Sequence, residues 1–205
     1  MKLLSSIALS VLTFAGLVNE ASAQRFEGLI VYRIESGPGI IQQKSWVRGD
    51  SVVIEAQEPM PERSFANFTS KELKVYQGSA SQVLPLKDFD IDRPKTNHLK
   101  VQPGTKTING KVAQLYTIEI PTQDRKMMKT SFWLTPDYPE NVRNTIVRNM
   151  LIGNEDPMFR EIAAEIRDMG KVPIMLSVSV NDKESMSLQI VAATEQSIPD
   201  SKFAQ

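Results

Sequence analysis

The amino-acid sequence predicts an α+β fold: a curved antiparallel sheet, shaped as an open half-barrel, with two helices covering its concave face. Three features of the chain support this prediction. Short stretches rich in β-forming residues alternate with turns, two stretches with helical spacing stand together near the end, and one further hairpin follows them. Strands joined by short turns pair antiparallel, and helices grouped beside such a sheet are typical of the α+β class.

The N-terminal residues have the pattern of a Sec signal peptide. Lys2 precedes an apolar run over residues 3–18, and the small residues Ala21 and Ala23 provide a cleavage site. A membrane anchor would need about 20 apolar residues, and this run is shorter. We therefore expect residues 1–23 to be a signal peptide cleaved after Ala23. The mature chain, 24–205, is then a single soluble domain in the periplasm or outside the cell.

Composition excludes several classes of function. Lys+Arg and Asp+Glu both number 24, so the formal net charge is +0 and no overall field attracts nucleic acid. The chain has no cysteine, which excludes disulfides, thiol chemistry and lipid attachment through a cysteine. No second stretch is long enough to span a bilayer. We expect no nucleic-acid partner and no transmembrane segment after cleavage.

The first half of the chain is predicted to be strands joined by short turns. Two of the links, Gly49-Asp50 and Gly78-Ser79, have the length and the glycine that a tight hairpin turn needs. The proline-containing stretch 58–63 interrupts the sheet between the two hairpins. The predicted strands of this half cover residues 26–35, 41–48, 51–57, 72–77 and 82–86.

The clearest strand pattern is a hairpin in the second half of the chain. Residues 111–120 and 127–134 alternate large apolar with polar side chains on either side of a polar link, 121–126. Side chains on a strand point to opposite faces with period two, so each apolar row defines a face to be buried. We take this hairpin as the middle of the sheet. A similar hairpin over residues 174–192 closes the chain.

Two helices are predicted between these hairpins. The first runs over about residues 138–151. The second has clear end signals, because Asp156 suits the N-cap, Pro157 the first helical position and Gly170 the stop. Its polar face carries Glu161, Glu165 and other charged residues and is interpreted as solvated surface. Its apolar residues recur at helical spacing, as in a helix that packs on a sheet: Phe159, Ile162, Ala163, Ile166 and Met169.

Several short motifs occur in a suggestive order along the mature chain. They are Phe26-Glu27-Gly28 at the first strand, TINGK at 107–111, FWLT at 132–135, GKVPI at 170–174 and IPDSKF at 198–203. Together they resemble exported bacterial domains of unknown function that share the fold of the lipoprotein carriers LolA and LolB. The resemblance implies a half-barrel sheet with helices over an apolar cavity, and no established reaction.

The same resemblance bears on the ligand. LolA and LolB bind acyl chains. The present chain lacks the lipid-attachment cysteine of LolB, and the functional residues of LolA are not matched position by position. A carrier activity is therefore implied by the fold alone.

No arrangement of residues in the sequence indicates catalysis or a cofactor. His98 is the single histidine and lies in a polar stretch, where a surface position is its ordinary interpretation. The motifs of serine hydrolases, zinc proteases and phosphate-binding loops are missing from the sequence. We expect a protein that is not an enzyme and needs no cofactor. A hydrolase built on the acidic residues 88–92 ranks last among the hypotheses.

The sharpest acidic cluster does not make a convincing metal site. Asp88, Asp90 and Asp92 alternate along the chain and could gather a hard cation. A calcium-binding EF-hand loop that begins at Asp88, however, needs glycine and glutamate where Arg93 and Leu99 stand. Alternation places the three acids on one face of a strand, which indicates a solvated face, and we expect no metal.

Apolar residues carry the remaining functional signal. They either fill a core or line a cavity between sheet and helices that holds an apolar or lipid ligand. The first function hypothesis is thus a non-enzymatic binding or carrier protein of the bacterial cell envelope, and the alternative is an envelope protein-interaction module without a small-molecule ligand. The candidate cavity residues are Tyr32, Trp46, Tyr116, Phe132, Phe159, Ile162 and Ile166.

Overall fold

One antiparallel sheet dominates the structure. The computed structural model describes residues 25–37, 39–56, 62–78, 80–86, 97–121, 127–154 and 156–204. The predicted signal peptide, the cluster of Asp88, Asp90 and Asp92, and residues 122–126 of the polar link lie outside these ranges. The strands are β1 (Glu27–Ser36), β2 (Gly39–Arg48), β3 (Ser51–Ala56), β4 (Arg63–Asn67), β5 (Glu72–Gln77), β6 (Ala80–Pro85), β7 (Lys100–Ile108), β8 (Lys111–Pro121), β9 (Met127–Thr135), β10 (Val172–Val180) and β11 (Lys183–Glu195).

The first and last strands pair at the centre of this sheet. The spatial order is β6-β5-β4-β3-β2-β1-β11-β10-β9-β8-β7, and Ile30 of β1 faces Ala193 of β11. The prediction that the hairpin over residues 111–134 forms the middle was wrong, because β8 lies one strand from the edge. A local alternation pattern reveals a hairpin but not the long-range pairing of the chain's two ends.

Two strands were missed by the sequence prediction. Strand β4 has five residues, RSFAN, and only Ala66 among them is fully buried. Strand β7 contains Pro103 and Gly104, and its pairing with β8 shifts between Val101 and Thr105. Proline cannot donate to a sheet and is confined to edges and bulges. Pro103 and Gly104 interrupt the alternation that predicts a strand, and they also fit the position of β7 at the edge of the sheet.

Two helices lie between β9 and β10 in the chain, α1 (Glu140–Asn149) and α2 (Pro157–Asp168). The α2 end signals operate as predicted: the Asp156 carboxylate accepts a 2.9 Å hydrogen bond from the Met158 backbone N–H, and Pro157 occupies the first turn. Gly170 follows the helix with φ of 62°, a left-handed conformation that glycine adopts without strain. The prediction of an α+β fold with an antiparallel sheet and two helices is confirmed.

An apolar core joins the sheet to both helices. On the sheet, a row of paired residues runs across four strands, from Val47 through Val52 and Ala66 to Leu73. Burial of each valine or leucine in this row contributes about 1.5–3 kcal/mol relative to exposure. Both helices contact β10. The core cluster includes six of their buried apolar residues: Val142, Ile146, Val147, Ile162, Ala163 and Ile166.

Candidate functional site

An apolar pocket of about 430 Å³ opens between the sheet and the two helices. Six neighbouring strands, from β3 to β9 in spatial order, contribute side chains to it, among them Tyr32, Ile54 and Leu188. Ile146 of α1 and Phe159 of α2 line the opposite wall. The volume lies within the range of about 300–1,000 Å³ that is typical of small-molecule sites.

A few buried polar atoms interrupt this apolar lining. Ser45, on β2, is 1% exposed, and its Oγ makes no hydrogen bond within the described part of the chain. The Oδ1 and Nδ2 atoms of Asn149, at the end of α1, are buried and also lack partners among the described residues. Each buried polar group without a partner costs about 1–3 kcal/mol. A ligand that brings hydrogen-bonding atoms to these positions would recover that cost.

Tyr32 contributes a third polar group to the pocket. Burial raises the pKa of Tyr32 to about 12. The Asn149 carboxamide faces the Tyr32 hydroxyl and offsets a part of that rise, although it makes no hydrogen bond of ordinary geometry. The hydroxyl therefore stays protonated at neutral pH and can serve as a hydrogen-bond donor, but not as a base.

A second, polar cleft of about 550 Å³ lies beside the apolar pocket. Its apolar lining includes Phe26 and Phe68, and polar side chains of α1 add to it. Asp50 lines it and accepts hydrogen bonds from Arg148 at 2.7 Å, Thr69 at 2.9 Å and Arg25. Burial opposes ionisation of Asp50, but these hydrogen bonds and the nearby Arg148 charge outweigh it and lower its pKa. The cleft thus holds fixed charges, whereas the described residues that line the pocket carry none.

The structure brings two of the seven predicted cavity residues together in the apolar pocket. Tyr32 and Phe159 both line it, from the sheet and from α2 respectively. Phe132, Ile162 and Ile166 do not; they are 0%, 2% and 0% exposed and fill the core. For these three the ordinary interpretation, packing, describes their position.

Tyr116 and Trp46 lie elsewhere. The Tyr116 hydroxyl accepts a 2.6 Å hydrogen bond from Lys171 Nζ and lines neither the apolar pocket nor the polar cleft. Trp46 sits between Ser45 and Val47 on β2 and faces the other side of the sheet, because neighbouring side chains on a strand alternate. There the ammonium group of Lys202, from the C-terminal 3₁₀ turn (Asp200–Lys202), lies 4.5 Å from its ring centre.

Sequence reasoning missed Ser45 and Asn149 as site residues. A signal for both is present: each is a polar residue at a position where the periodicity expects an apolar one. Ser45 shares its face of β2 with Val47, and Asn149 follows Ile146 by about one helical turn. A polar residue on a buried face marks a hydrogen-bonding role.

Glu165 corrects another expectation. It was assigned to a solvated helix face, yet it is 8% exposed. Its carboxylate accepts the backbone N–H groups of His98, at 2.9 Å, and of Leu99, at 3.3 Å. Two main-chain donors compensate the burial of the charge. His98, assigned to the surface, is half-buried and its Nε2 lies 2.7 Å from Glu161.

Neither a metal cluster nor a membrane helix occurs in the described ranges. Among those residues, no three His, Asp or Glu side chains gather as metal ligands. Within the same part of the chain, neither helix has the length and apolar character that a membrane crossing requires.

Comparison with known proteins leaves the family open. No family model matches the chain, and no curated protein does. A solved structure titled the complex structure of Pseudomonas aeruginosa MucA/MucB is similar at 16% identity and a TM-score of 0.49 over 91% of this chain. The Caulobacter crescentus pol III beta structure gives 14% identity and a TM-score of 0.13 over 83% of this chain.

Both likenesses are partial. The chain spans 58% and 60% of those two solved chains. At such low identity and TM-score neither likeness carries a conclusion about function. The resemblance to LolA and LolB stays a prediction.

Proposed function

We propose that this chain is a non-enzymatic binding or carrier protein of the bacterial cell envelope that holds a lipid or other apolar ligand between its sheet and its helices. The observation that supports this proposal most is the 430 Å³ pocket beneath α1 and α2. Its lining is apolar except for a few polar side chains, among them Ser45, Tyr32 and Asn149, as in small-molecule sites that orient an apolar ligand by a few hydrogen bonds.

In this proposal the sheet is a LolA-like half-barrel and the helices lie in its concave side. Supporting it, six adjacent strands contribute to one pocket, although strands in a flat sheet would stand about 4.8 Å apart and spread the six over roughly 24 Å. Curvature brings side chains as far apart as Ile54 of β3 and Thr130 of β9 around one ligand. The mature domain of the proposal is 24–205, exported by the signal peptide 1–23 to the periplasm or beyond.

A role without catalysis is proposed on the chemistry of the pocket. Its polar side chains include hydroxyl and carboxamide groups, and the Tyr32 hydroxyl has a pKa raised to about 12 by burial. Such groups donate and accept hydrogen bonds but do not transfer protons near neutral pH. Neither a cofactor nor a metal enters the proposed role.

The test is a substitution that fills the pocket, and its effect on dodecanol binding is measured by isothermal titration calorimetry. Val178 lines the pocket, whereas Val191 is 45% exposed on β11 and does not line it. Val178→Trp is expected to weaken dodecanol binding about tenfold or more by occupying the cavity, and Val191→Trp is expected to leave it unchanged. Equal effects of the two substitutions, or no binding by the wild-type chain, would overturn the proposal.

A second candidate function, a protein-interaction module, is favoured by the β6 edge of the sheet. Among the described strands, none pairs with the outer side of β6. Its sequence, ASQVLP, carries no charge, and Val83 is 56% exposed. The opposite edge, β7, is protected by Lys100, Lys106 and a proline-containing irregularity, the usual protection of edges against pairing. An extended segment of an envelope protein could pair with β6 as an added strand.

The two edges provide a matched test of that candidate. Val83→Lys on β6 is expected to abolish the recovery of a stoichiometric envelope partner. It is also expected to abolish the protection from hydrogen exchange that the bound partner gives to the β6 amides. Val101→Lys, at a residue 64% exposed on β7, is expected to change neither. If both variants recover the partner alike, the β6 edge is not its binding site.

A further inference from the structure

We propose that the polar cleft and the apolar pocket form one continuous site for an anionic amphiphile, with the tail in the pocket and the head group in the cleft. This inference rests on the proposed binding function and adds the class of ligand. Three features support it: the two cavities adjoin on the same strands, one side chain lines both, and their linings differ in charge.

The cavities adjoin along the paired strands β2 and β3. Val47 and Val52 face each other across these strands and line the polar cleft. One step further along the same face, Ser45 and Ile54 face each other and line the apolar pocket. Two residues along a strand span about 6.7 Å. A single-chain ligand therefore passes from one cavity to the other within the length of a few methylene groups.

Helix α1 contributes side chains to the lining of both cavities. Asn141, Asn144 and Arg148 line the cleft, and Ile146 lines the pocket. Asn149 lines both cavities. Its carboxamide atoms are buried without a hydrogen-bond partner among the described residues. This position suits the junction between the head and the tail of an amphiphile, where a ligand's first polar atoms would bond to the carboxamide.

The charges of the cleft favour an anionic head group. Arg25, Arg148 and Arg167 line it together with one acidic residue, Asp50, so these four side chains sum to a formal charge of +2 (three minus one). Arg167 also pairs with Asp168 at 2.9 Å, outside the lining. A guanidinium group has five N–H donors, so an arginine that holds a carboxylate can still bond a second oxygen.

Arg148 is the best placed of these donors. Its guanidinium carbon lies 3.8 Å from the centre of the Phe68 ring, and its Nη1 bonds to Asp50. Stacking and pairing hold its plane in one orientation, so it loses little freedom when an anion binds. A carboxylate or phosphate head matches that planar donor set.

The test compares three probes by isothermal titration calorimetry on the full chain: dodecanoate, dodecanol and acetate. We expect dodecanoate to bind about tenfold more tightly than dodecanol, and acetate to bind far more weakly than either. Asn144→Asp adds a negative charge at an exposed position of the cleft. It is expected to weaken dodecanoate binding about tenfold and so to remove most of the preference for dodecanoate over dodecanol.

A charge-matched control and the contrary outcomes complete the design. Gln42→Glu adds the same charge at an exposed position of β2 that lines neither cavity, and it is expected to change neither affinity. Equal binding of dodecanoate and dodecanol by the wild-type chain would overturn the inference and leave the proposed function standing. Acetate binding as tight as dodecanoate would show a separate anion site instead. Failure of both dodecyl probes to bind would overturn the inference and the proposed function together.

Discussion

The indole N–H of Trp46 donates a 2.8 Å hydrogen bond to Glu55 Oε2, on the face of the sheet opposite the apolar pocket. Lys202 Nζ lies 3.1 Å from the same carboxylate and over the Trp46 ring. This contact joins the C-terminal turn to strands β2 and β3. Trp46 is thus a residue that anchors the end of the chain, and the Lys202 side chain covers its ring on the face of the sheet opposite the apolar pocket.

The first prediction concerns the pH dependence of this contact. Burial opposes ionisation of Glu55, but hydrogen bonds from Trp46 and Lys202 outweigh it and lower the pKa of Glu55 below its ordinary value of 4.5. A lowered folded-state pKa contributes stability that is present above pH 4.5 and is lost as the pH falls through the folded-state pKa. Glu55→Gln should cost about 1 kcal/mol at pH 7 after solvent screening and almost nothing at about pH 2.

Urea unfolding at the two pH values measures this difference. The control is Glu35→Gln, which removes an exposed ion pair with Arg33 and should cost only a few tenths of a kcal/mol. If Glu55→Gln costs the same at both pH values, the carboxylate charge does not hold the C-terminal turn.

Gly28 provides a steric prediction at the centre of the sheet. A Cβ atom at this position would lie 2.2 Å from the Thr194 carbonyl oxygen and 2.5 Å from the Phe26 ring, too close for β1 and β11 to keep their register. Gly28→Ala should lower the free energy of unfolding by about 2 kcal/mol or more. Gly37→Ala is the control, because a Cβ there meets nothing within 4 Å. Equal thermal midpoints for the two variants would show that β11 shifts freely.

The sequence was sufficient to predict individual helices and hairpins of this fold, but not the pairing of strands that are distant in the chain. The α2 helix was placed within a residue because Asp156 and Pro157 act through contacts in the same turn. The pairing of β1 with β11 joins Gly28 to Glu195, and no pattern within either strand specifies its partner. Of the pocket residues, aromatic Tyr32 and Phe159 were found by composition and periodicity. Small polar Ser45 was missed because its signal, a polar residue on the strand face that it shares with Val47, has meaning only once that face is known to be buried.

The pocket and the core can be separated on α2. Phe159 is half-buried and lines the pocket, whereas Ile162 is 2% exposed and packs in the core. Ile162→Ala should destabilise the protein by about 2–5 kcal/mol. Phe159→Ala should cost less stability and weaken dodecanol binding several-fold. Chemical denaturation and titration calorimetry measure the two quantities. A larger stability loss for Phe159→Ala than for Ile162→Ala would show that Phe159 belongs to the core.

The raised pKa of Tyr32 predicts that the protein loses stability at alkaline pH. Its pKa rises from 10.0 to about 12 through burial, so the folded state favours the neutral phenol. Stability from this group is complete below pH 10 and is lost as the pH rises towards 12, by about 3 kcal/mol in all. Burial also raises the pKa of Tyr138, so the variant Tyr32→Phe isolates the effect: its stability should fall less between pH 10 and 12. Equal slopes for the wild type and Tyr32→Phe in that window would contradict the burial of the phenol.

The last prediction uses the unpartnered hydroxyl of Ser45. Removing one partner of a hydrogen bond usually destabilises a protein, but the Ser45 Oγ has no partner among the described residues. Its burial therefore destabilises the folded state without a compensating hydrogen bond. Ser45→Ala should therefore leave the free energy of unfolding of the ligand-free protein unchanged or raise it by about 1 kcal/mol. Urea unfolding measures this, with Ser81→Ala at an exposed position of β6 as the neutral control.

Ligand binding should respond in the opposite direction. A ligand whose polar atom reaches Ser45 loses a hydrogen bond in the variant, so dodecanol should bind Ser45→Ala several-fold more weakly although the protein is as stable as the wild type or more so. If Ser45 served folding alone, its replacement by alanine would lower the stability of the protein and leave its affinity for dodecanol unchanged. Stability lost on Ser45→Ala with affinity retained would therefore show that the serine serves the fold, whereas affinity lost with stability retained assigns it to the ligand.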